Sequence, residues 1–284
     1  MVELKNKWLT VRVAEKGAEL QSVKDNEGYE YMWQAGPEWT RHSPILFPIV
    51  CSVNDNTYVV DGKEYHLPRH GFARDMMFEI QEQDETGVVF SLHSDSETLE
   101  VYPFEFELTV VYRLTDRELS VHWMVGNEGR REMHFQIGAH PAFNVTGGVQ
   151  NAVTTLLPHD NLTALKSYPD GSYDMELEPL ANDGGEIDIT EETFRNDSVK
   201  IPNSQVQCIM LRDKVSQRTV EVYFTAPVVA LWTPFGKHAP FVCIEPWYGI
   251  GDPRGWKGEF RDKPVMNHLL PGARFSCAYC IDFK

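Results

Sequence analysis

Two short stretches of the chain combine a titratable side chain with residues that fix the backbone around it. In Gly138-Ala-His-Pro141, an apolar strand breaks off at His140, and the proline biases that histidine towards an extended conformation. In Phe241-Val-Cys-Ile-Glu245, a second apolar strand is predicted to end at Glu245, where Pro246 would stop it. Titratable side chains at strand ends are a common way to build a polar pocket.

Proton transfer is the chemistry that these two side chains suit best. Histidine titrates near neutral pH, and a partly desolvated glutamate has a raised pKa that suits a base. The chain has no dinucleotide-binding, P-loop or nucleophile-elbow motif that would indicate other chemistry. Trp247 and Tyr248 follow Glu245 and offer flat surfaces for a sugar ring. Simpler interpretations remain open, in which His140 bonds its loop neighbours and Glu245 pairs with a lysine or an arginine.

Four further residues are candidates for holding a substrate. His70 and Arg74 lie in a glycine-containing segment between two predicted strands, and Arg41 precedes a segment too apolar for a surface loop. Arginine offers fork-shaped donors to hydroxyl or anionic oxygens. Asp197 opens a short predicted strand and can accept from a ligand hydroxyl or cap a turn. The alternative for the arginines is an ordinary surface ion pair, which contributes little to stability.

Composition narrows the class of protein. The formal net charge of −16 over 284 residues disfavours nucleic acid and anionic membranes as partners. The chain has five cysteines and no secretory signal, so we expect a reduced, cytoplasmic location. Cys277 and Cys280 have metal-like spacing, but in an alternating strand they point to opposite faces and cannot share an ion.

Period-two alternation dominates the chain and predicts an all-β fold. Asp61-Gly62 between two alternating runs is the strongest hairpin signal. The alternation of apolar and polar residues weakens between about 150 and 200, where we predict long loops with short strands and a short helix around Thr190 to Phe194. With no linker and no repeat, we expect one domain over residues 1–284, a large antiparallel β-sandwich with few short helices.

Four motifs, in order, carry a family resemblance. They are Arg41-His-Ser-Pro-Ile-Leu-Phe-Pro48, His70-Gly-Phe-Ala-Arg74, Gly138-Ala-His-Pro-Ala-Phe143 and Ile244-Glu-Pro-Trp247. Together they resemble the aldose 1-epimerase (galactose mutarotase-like) superfamily, in a bacterial branch of mostly uncharacterised members. The resemblance covers nearly the whole chain. It implies the galactose mutarotase-like supersandwich and the interconversion of α and β anomers of a hexose without cofactor or metal.

The resemblance also implies roles for individual residues. His140 would protonate the ring oxygen, and Glu245 would take the proton from the C1 hydroxyl. His70, Arg41 and Asp197 would hold substrate hydroxyls, with a less defined role for Arg74. The partner is then a small sugar, bound by a monomer or a homodimer.

Three alternatives accompany this prediction. The segments around Arg41 and Glu245 depart from those of the well-known galactose mutarotases, so galactose is not assured as the substrate. A hexose 6-phosphate is one alternative, because arginines near these motifs can bind phosphate. A sugar-binding or sensing protein without turnover is the second. A metal site built from His70, His140 and Glu245 is the third, although their spacing is not that of a metal motif.

Overall fold

The computed structural model describes residues 1–284, most of them in antiparallel β-strands. The strands are β1 (Val2–Lys5), β2 (Leu9–Val13), β3 (Leu20–Asp25), β4 (Ile45–Leu46), β5 (Thr57–Val60), β6 (Lys63–His66), β7 (Glu79–Gln83), β8 (Gly87–His93), β9 (Phe106–Thr115), β10 (Glu118–Asn127), β11 (Met133–Phe135), β12 (Ile137–Ala139), β13 (Ala142–Asn144), β14 (Ala152–Leu157), β15 (Thr163–Ser167), β16 (Tyr173–Pro179), β17 (Glu186–Asp188), β18 (Val199–Ile201), β19 (Cys208–Asp213), β20 (Thr219–Phe224), β21 (Val228–Trp232), β22 (Phe241–Tyr248), β23 (Asn267–Leu269) and β24 (Arg274–Phe283). The helices are α1 (Ser96–Val101) and five 3-10 turns, at Asn54–Asn56, Ala73–Asp75, Val149–Asn151, Glu191–Phe194 and Phe260–Asp262. No helix is long and apolar enough to cross a bilayer.

Two sheets contain most of the strands. A nine-stranded sheet has the order β17-β14-β19-β20-β24-β10-β9-β8-β7. A six-stranded sheet has the order β18-β21-β22-β12-β4, with β13 also paired to β22. A three-stranded sheet, β1-β2-β3, and three two-stranded ribbons, β5-β6, β11-β23 and β15-β16, complete the fold. Strands of both large sheets supply one core cluster of 64 buried residues, so the sheets share a single apolar interior.

The six-stranded sheet has one face in this core and the other face towards the cleft. In β22, Val242 and Ile244 belong to the main core, whereas Cys243, Glu245 and Trp247 alternate with them and point the other way. Two small apolar clusters flank this second face, one around Trp247 and one around Phe241. A polar band lies between them.

The large antiparallel sandwich predicted from alternation is confirmed. The hairpin predicted at Asp61-Gly62 joins β5 to β6 in the expected register. The short helix predicted around Thr190 to Phe194 is the 3-10 turn Glu191–Phe194, capped by the side chain of Thr190. Cys277 is buried and Cys280 is partly exposed on the same strand, in line with their predicted opposite orientations.

One local expectation was wrong, and a second was only partly right. β22 does not end at Glu245 but continues through Pro246 to Tyr248, because β21 pairs with it along this stretch and Pro246 faces Val229. The region from 150 to 200 has the expected short strands and short helix, but it contains more strand than expected, since β14 to β18 all lie there. β16 escaped prediction because most of its residues are exposed, so its side chains do not alternate between apolar and polar.

Candidate active site

The chain brings His140 and Glu245 to facing positions in the six-stranded sheet. β12 pairs Gly138 with Trp247, and β13 pairs Ala142 with Cys243 in the same antiparallel register. His140 lies midway between these pairs, in the short break that Pro141 makes between β12 and β13, so it stands opposite Glu245. Facing residues share one side of a sheet, and both side chains therefore enter the cleft.

The two side chains are in contact and deeply buried. Nε2 of His140 lies 3.2 Å from Oε2 of Glu245, and their side chains are 9% and 1% exposed. The pair is not aligned for a hydrogen bond, and both oxygens of Glu245 and Nδ1 of His140 lack a hydrogen-bond partner in the protein. Buried polar atoms without partners are rare and are typical of sites that bind a ligand.

Burial drives the two groups towards their neutral forms. Burial raises the pKa of Glu245 well above its usual value, and the nearby Asp197 adds to this. Burial also lowers the pKa of His140, helped by the charge of Arg69. Charges are costly in a low-dielectric site, so both directions favour a neutral imidazole beside a protonated carboxyl group.

His70 presents a fixed hydrogen-bond donor to the same cavity. Its Nδ1 accepts a hydrogen bond of 3.1 Å from the backbone amide of Cys51. Burial lowers the pKa of His70 well below its usual value, so the ring is neutral. Because Nδ1 accepts, the ring proton is on Nε2. His70 has a left-handed backbone with φ of 68°, and the adjacent Gly71 lies against the carbonyl of Phe47.

Arg69, Arg74 and Asp197 form a charged wall. Arg69 donates to Oδ2 of Asp197 at 3.4 Å, and Arg74 donates to the backbone carbonyl of Arg69 at 2.6 Å. Nε of Arg74 is buried without a hydrogen-bond partner. Burial and the charge of Arg41 lower the pKa of Arg74 to about 10. The wall therefore offers donors and one acceptor to a polar ligand.

Arg41 is the one predicted site residue outside the cavity lining. It pairs with both oxygens of Asp75, at 3.0 and 3.3 Å, and is 30% exposed. His70, Arg74, His140, Asp197 and Glu245 all line the same cavity of about 220 Å³. Pockets for drug-sized ligands measure roughly 300–1,000 Å³, so this one suits a smaller molecule such as a single sugar ring.

Aromatic side chains enclose the histidine, and sequence analysis did not single them out. Trp39 stacks on His140 with ring centroids 4.8 Å apart, and Trp232 meets it edge-on at 5.3 Å. Trp247 lines the cavity as predicted, with Nε1 buried and unpartnered. In the sequence Trp232 is indistinguishable from a core residue. Trp39 has polar neighbours, Glu38 and Thr40, which are the one local sign that it is not a core residue.

Three donor atoms lie close enough to share a metal ion, two on the cavity-lining His140 and Glu245 and one on the fully buried Cys243. His140, Cys243 and Glu245 each contribute one atom within 4.8 Å of the others. This set differs from the predicted alternative, because Cys243 takes the place of His70, whose Nδ1 is bonded to the backbone. A metal here would engage the same imidazole and carboxylate that acid–base chemistry needs, so the two uses exclude each other.

Comparisons with known proteins agree with this architecture. Protein LacX (plasmid) of Lactococcus lactis subsp. lactis is 33% identical, over 95% of both chains. A galactose mutarotase related enzyme from Lactobacillus acidophilus is 33% identical with a TM-score of 0.94, over 100% of this chain and 97% of that one. A galactose mutarotase-like protein from Lactobacillus casei is 31% identical with a TM-score of 0.96, over the whole of both chains.

The family itself follows from a match over most of the sequence. Residues 1–251 match the family model described as Aldose 1-epimerase. This stretch includes all four motifs and both members of the facing pair. The chain belongs to the aldose 1-epimerase family.

Proposed function

We propose that this protein interconverts the α and β anomers of a hexose by acid–base opening and closing of the sugar ring. The observation that carries the proposal is the buried, facing pair of His140 and Glu245 in a cavity the size of one sugar ring. Anomerisation moves one proton onto the ring oxygen and one off the C1 hydroxyl, so it needs an acid and a base at one hemiacetal.

The pair is suited to this exchange because it holds one proton between two groups. Burial raises the pKa of Glu245 and so favours that proton on its carboxyl group in the free protein. Substrate hydroxyls that donate to Glu245 favour its charged form, as do the nearby charges of Arg69 and Lys200, and the proton then moves to His140. His140 donates to the ring oxygen while Glu245 takes the proton from the C1 hydroxyl.

Ring opening leaves the imidazole neutral and the carboxyl group protonated. Rotation about the C1–C2 bond presents the other face of the aldehyde, and closure returns both protons along the same paths. The pair ends each turnover as it began. His70, Arg74 and Asp197 would hold hydroxyls while C1 turns, and Trp39 with Trp232 would keep water from the imidazole. Groups placed in this way typically contribute roughly 10²–10⁴-fold each.

The test is the rate at which freshly dissolved α-glucose and α-galactose relax to the anomeric equilibrium, followed by polarimetry or NMR. We expect acceleration that falls at least about 100-fold in both His140→Ala and Glu245→Gln. The chain offers a matched control, because His238 and Glu191 also form a contact of 3.1 Å but His238 is 86% exposed. His238→Ala and Glu191→Gln should leave the rate unchanged. Sugar binding without acceleration would indicate a binding or sensing protein instead.

A hexose phosphate is the second candidate, favoured by the arginines. Arg69 and Arg74 line the cavity. Nε of Arg74 lies 3.7 Å from Oδ2 of Asp75 but makes no hydrogen bond, so it can still donate to an anionic oxygen. If the substrate is phosphorylated, glucose 6-phosphate should relax faster than glucose, and Arg74→Gln should erase that preference. If Arg74→Gln slows both sugars equally, the arginine binds a hydroxyl and the free hexose is the substrate.

A further inference from the structure

A second cluster of chemically capable side chains lies on the β11-β23 ribbon, away from the cavity. His134 on β11 faces His268 on β23 in the antiparallel register, with ring centroids 5.0 Å apart. Glu132 precedes His134 by two residues and so lies on the same side of the ribbon. One donor atom from each of the three side chains lies within 4.8 Å of the other two. None of the three residues lines the catalytic cavity.

His134 is the fixed and unsatisfied member of this trio. It is 7% exposed, and its Nδ1 is buried without a hydrogen-bond partner. The hydroxyl of Tyr102 donates to its backbone carbonyl at 2.8 Å, and the ring of Phe104 packs edge-on at 5.6 Å. An imidazole that is buried, held in place and left without a partner is costly unless it has a ligand to bind.

The neighbouring charges leave the carboxylate of Glu132 available. Arg131 donates to Oδ2 of Asp61 at 2.9 Å, and Arg261 lies 3.6 Å from the other oxygen of Asp61. Glu132 itself makes no ion pair, so the local arginines are satisfied elsewhere. The trio therefore combines one buried imidazole with an exposed imidazole and an exposed carboxylate that makes no ion pair.

We propose that Glu132, His134 and His268 bind a divalent transition-metal ion, with Zn²⁺ the ion that this donor set suits best. Zinc favours imidazole and carboxylate ligands, and three protein ligands leave one position for water. The ion would join β11 to β23, two strands that are distant in the chain, and would stabilise the folded protein by binding only its native form. The proposal does not depend on the proposed catalytic function.

The test is Zn²⁺ titration of the full chain without an affinity tag, by calorimetry, with Co²⁺ absorption spectra as a second readout. We expect one tight site, weakened at least about 10-fold by either His268→Ala or Glu132→Gln, and a rise in Tm with Zn²⁺ that both variants lose. Both positions are exposed, so these variants should fold. His238→Ala, which removes an exposed histidine beside a single carboxylate, should leave the affinity unchanged.

The competing explanation is zinc binding beside the cavity, and a fourth variant distinguishes the two sites. If zinc binds instead to His140, Cys243 and Glu245, then Cys243→Ser will weaken binding and His268→Ala will not. That result would overturn the proposal, as would the absence of Zn²⁺ binding in the wild-type protein. Affinity lost in His268→Ala but kept in Cys243→Ser would support it.

Discussion

His140 and Glu245 face each other across neighbouring strands, with Nε2 of the imidazole 3.2 Å from Oε2 of the carboxyl group. More than 100 residues of chain separate them, and the shared register of β12, β13 and β22 brings them together. Burial, more than any neighbouring charge, shifts the pKa of each group. Substitutions that change this burial should therefore change the pH dependence of stability and of activity.

Glu245→Gln should stabilise the protein at alkaline pH. The pKa of Glu245 is raised in the folded state above its ordinary value of 4.5, so folding opposes its ionisation. The resulting loss of stability is absent below pH 4.5 and grows as the pH rises above it. We expect Glu245→Gln to gain of the order of 1–2 kcal/mol in urea unfolding at pH 8, and little at pH 4.

Glu221→Gln is the matched control for this prediction, with the opposite sign. Burial opposes ionisation of Glu221 too, but hydrogen bonds from Lys284 and Tyr223 outweigh it and lower the pKa of this carboxyl group. Its stabilising contribution is present above the ordinary pKa and is lost as the pH falls. Glu221→Gln should therefore cost more stability at pH 8 than at pH 4. Equal behaviour of the two variants would contradict the assignment of Glu245.

Trp39→Ala should move the acid limb of the pH–rate profile upwards. Trp39 stacks on His140 and shields it from water, and burial is the main reason that the pKa of His140 is low. Hydration of the ring should raise this pKa towards the ordinary value of 6.5 and slow mutarotation roughly 10-fold through lost positioning. Trp39→Phe should restore most of the rate, whereas a purely structural role would leave the pH profile unmoved.

Gly71→Ala should be far more damaging than Gly62→Ala. Both glycines have left-handed backbones, with φ of 70° and 76°. A Cβ at Gly71 would lie 2.2 Å from the carbonyl oxygen of Phe47, whereas a Cβ at Gly62 meets nothing within 4 Å. We expect Gly62→Ala to cost about 1 kcal/mol and Gly71→Ala at least about 2 kcal/mol more, by chemical denaturation. Similar losses would mean that backbone strain alone matters.

Asp197→Asn should shift the substrate preference towards anionic sugars. Asp197 accepts from Arg69 at the cavity wall, so its removal adds one unit of positive charge there. We expect the ratio of kcat/KM for glucose 6-phosphate to that for glucose to rise roughly 10-fold. Asp84→Asn is the control, because Asp84 pairs with Arg113 at 2.7 Å and neither residue lines the cavity. An equal shift in both variants would mean that the overall charge, and not the cavity, is responsible.

The fold was predictable from the sequence where apolar and polar side chains alternate, and poorly predictable where they do not. The core strands were visible because one face of each is apolar, and Asp61-Gly62 marked its hairpin. α1 was not located because its six residues are too short for a helical period, although Asp95 and Thr98 form a capping box. Pro246 led to the wrong prediction that β22 ends at Glu245. The strand continues through this proline because β21 pairs with β22 on both sides of it.

The site was predictable only in part, for a similar reason. His140 and Glu245 stood out because prolines follow both, a signal that lies in the local sequence. Their contact depends on pairing between distant strands, which no local pattern encodes. Lys200 was not predicted to lie near the site, because a lysine between Val199 and Ile201 resembles the exposed face of an edge strand. In the structure it is 1% exposed and contacts Asp197 and Ser167.

The placement of the pair on neighbouring strands ties the proposed activity to complete assembly of the six-stranded sheet. A shift of β22 by one residue would turn Glu245 into the core and bring Ile244 into the cleft, because neighbouring side chains point to opposite faces. A folding intermediate in which β22 is unpaired or in the wrong register should therefore have no activity. Recovery of the proposed mutarotase activity during refolding should follow formation of this sheet rather than the earlier collapse of the chain.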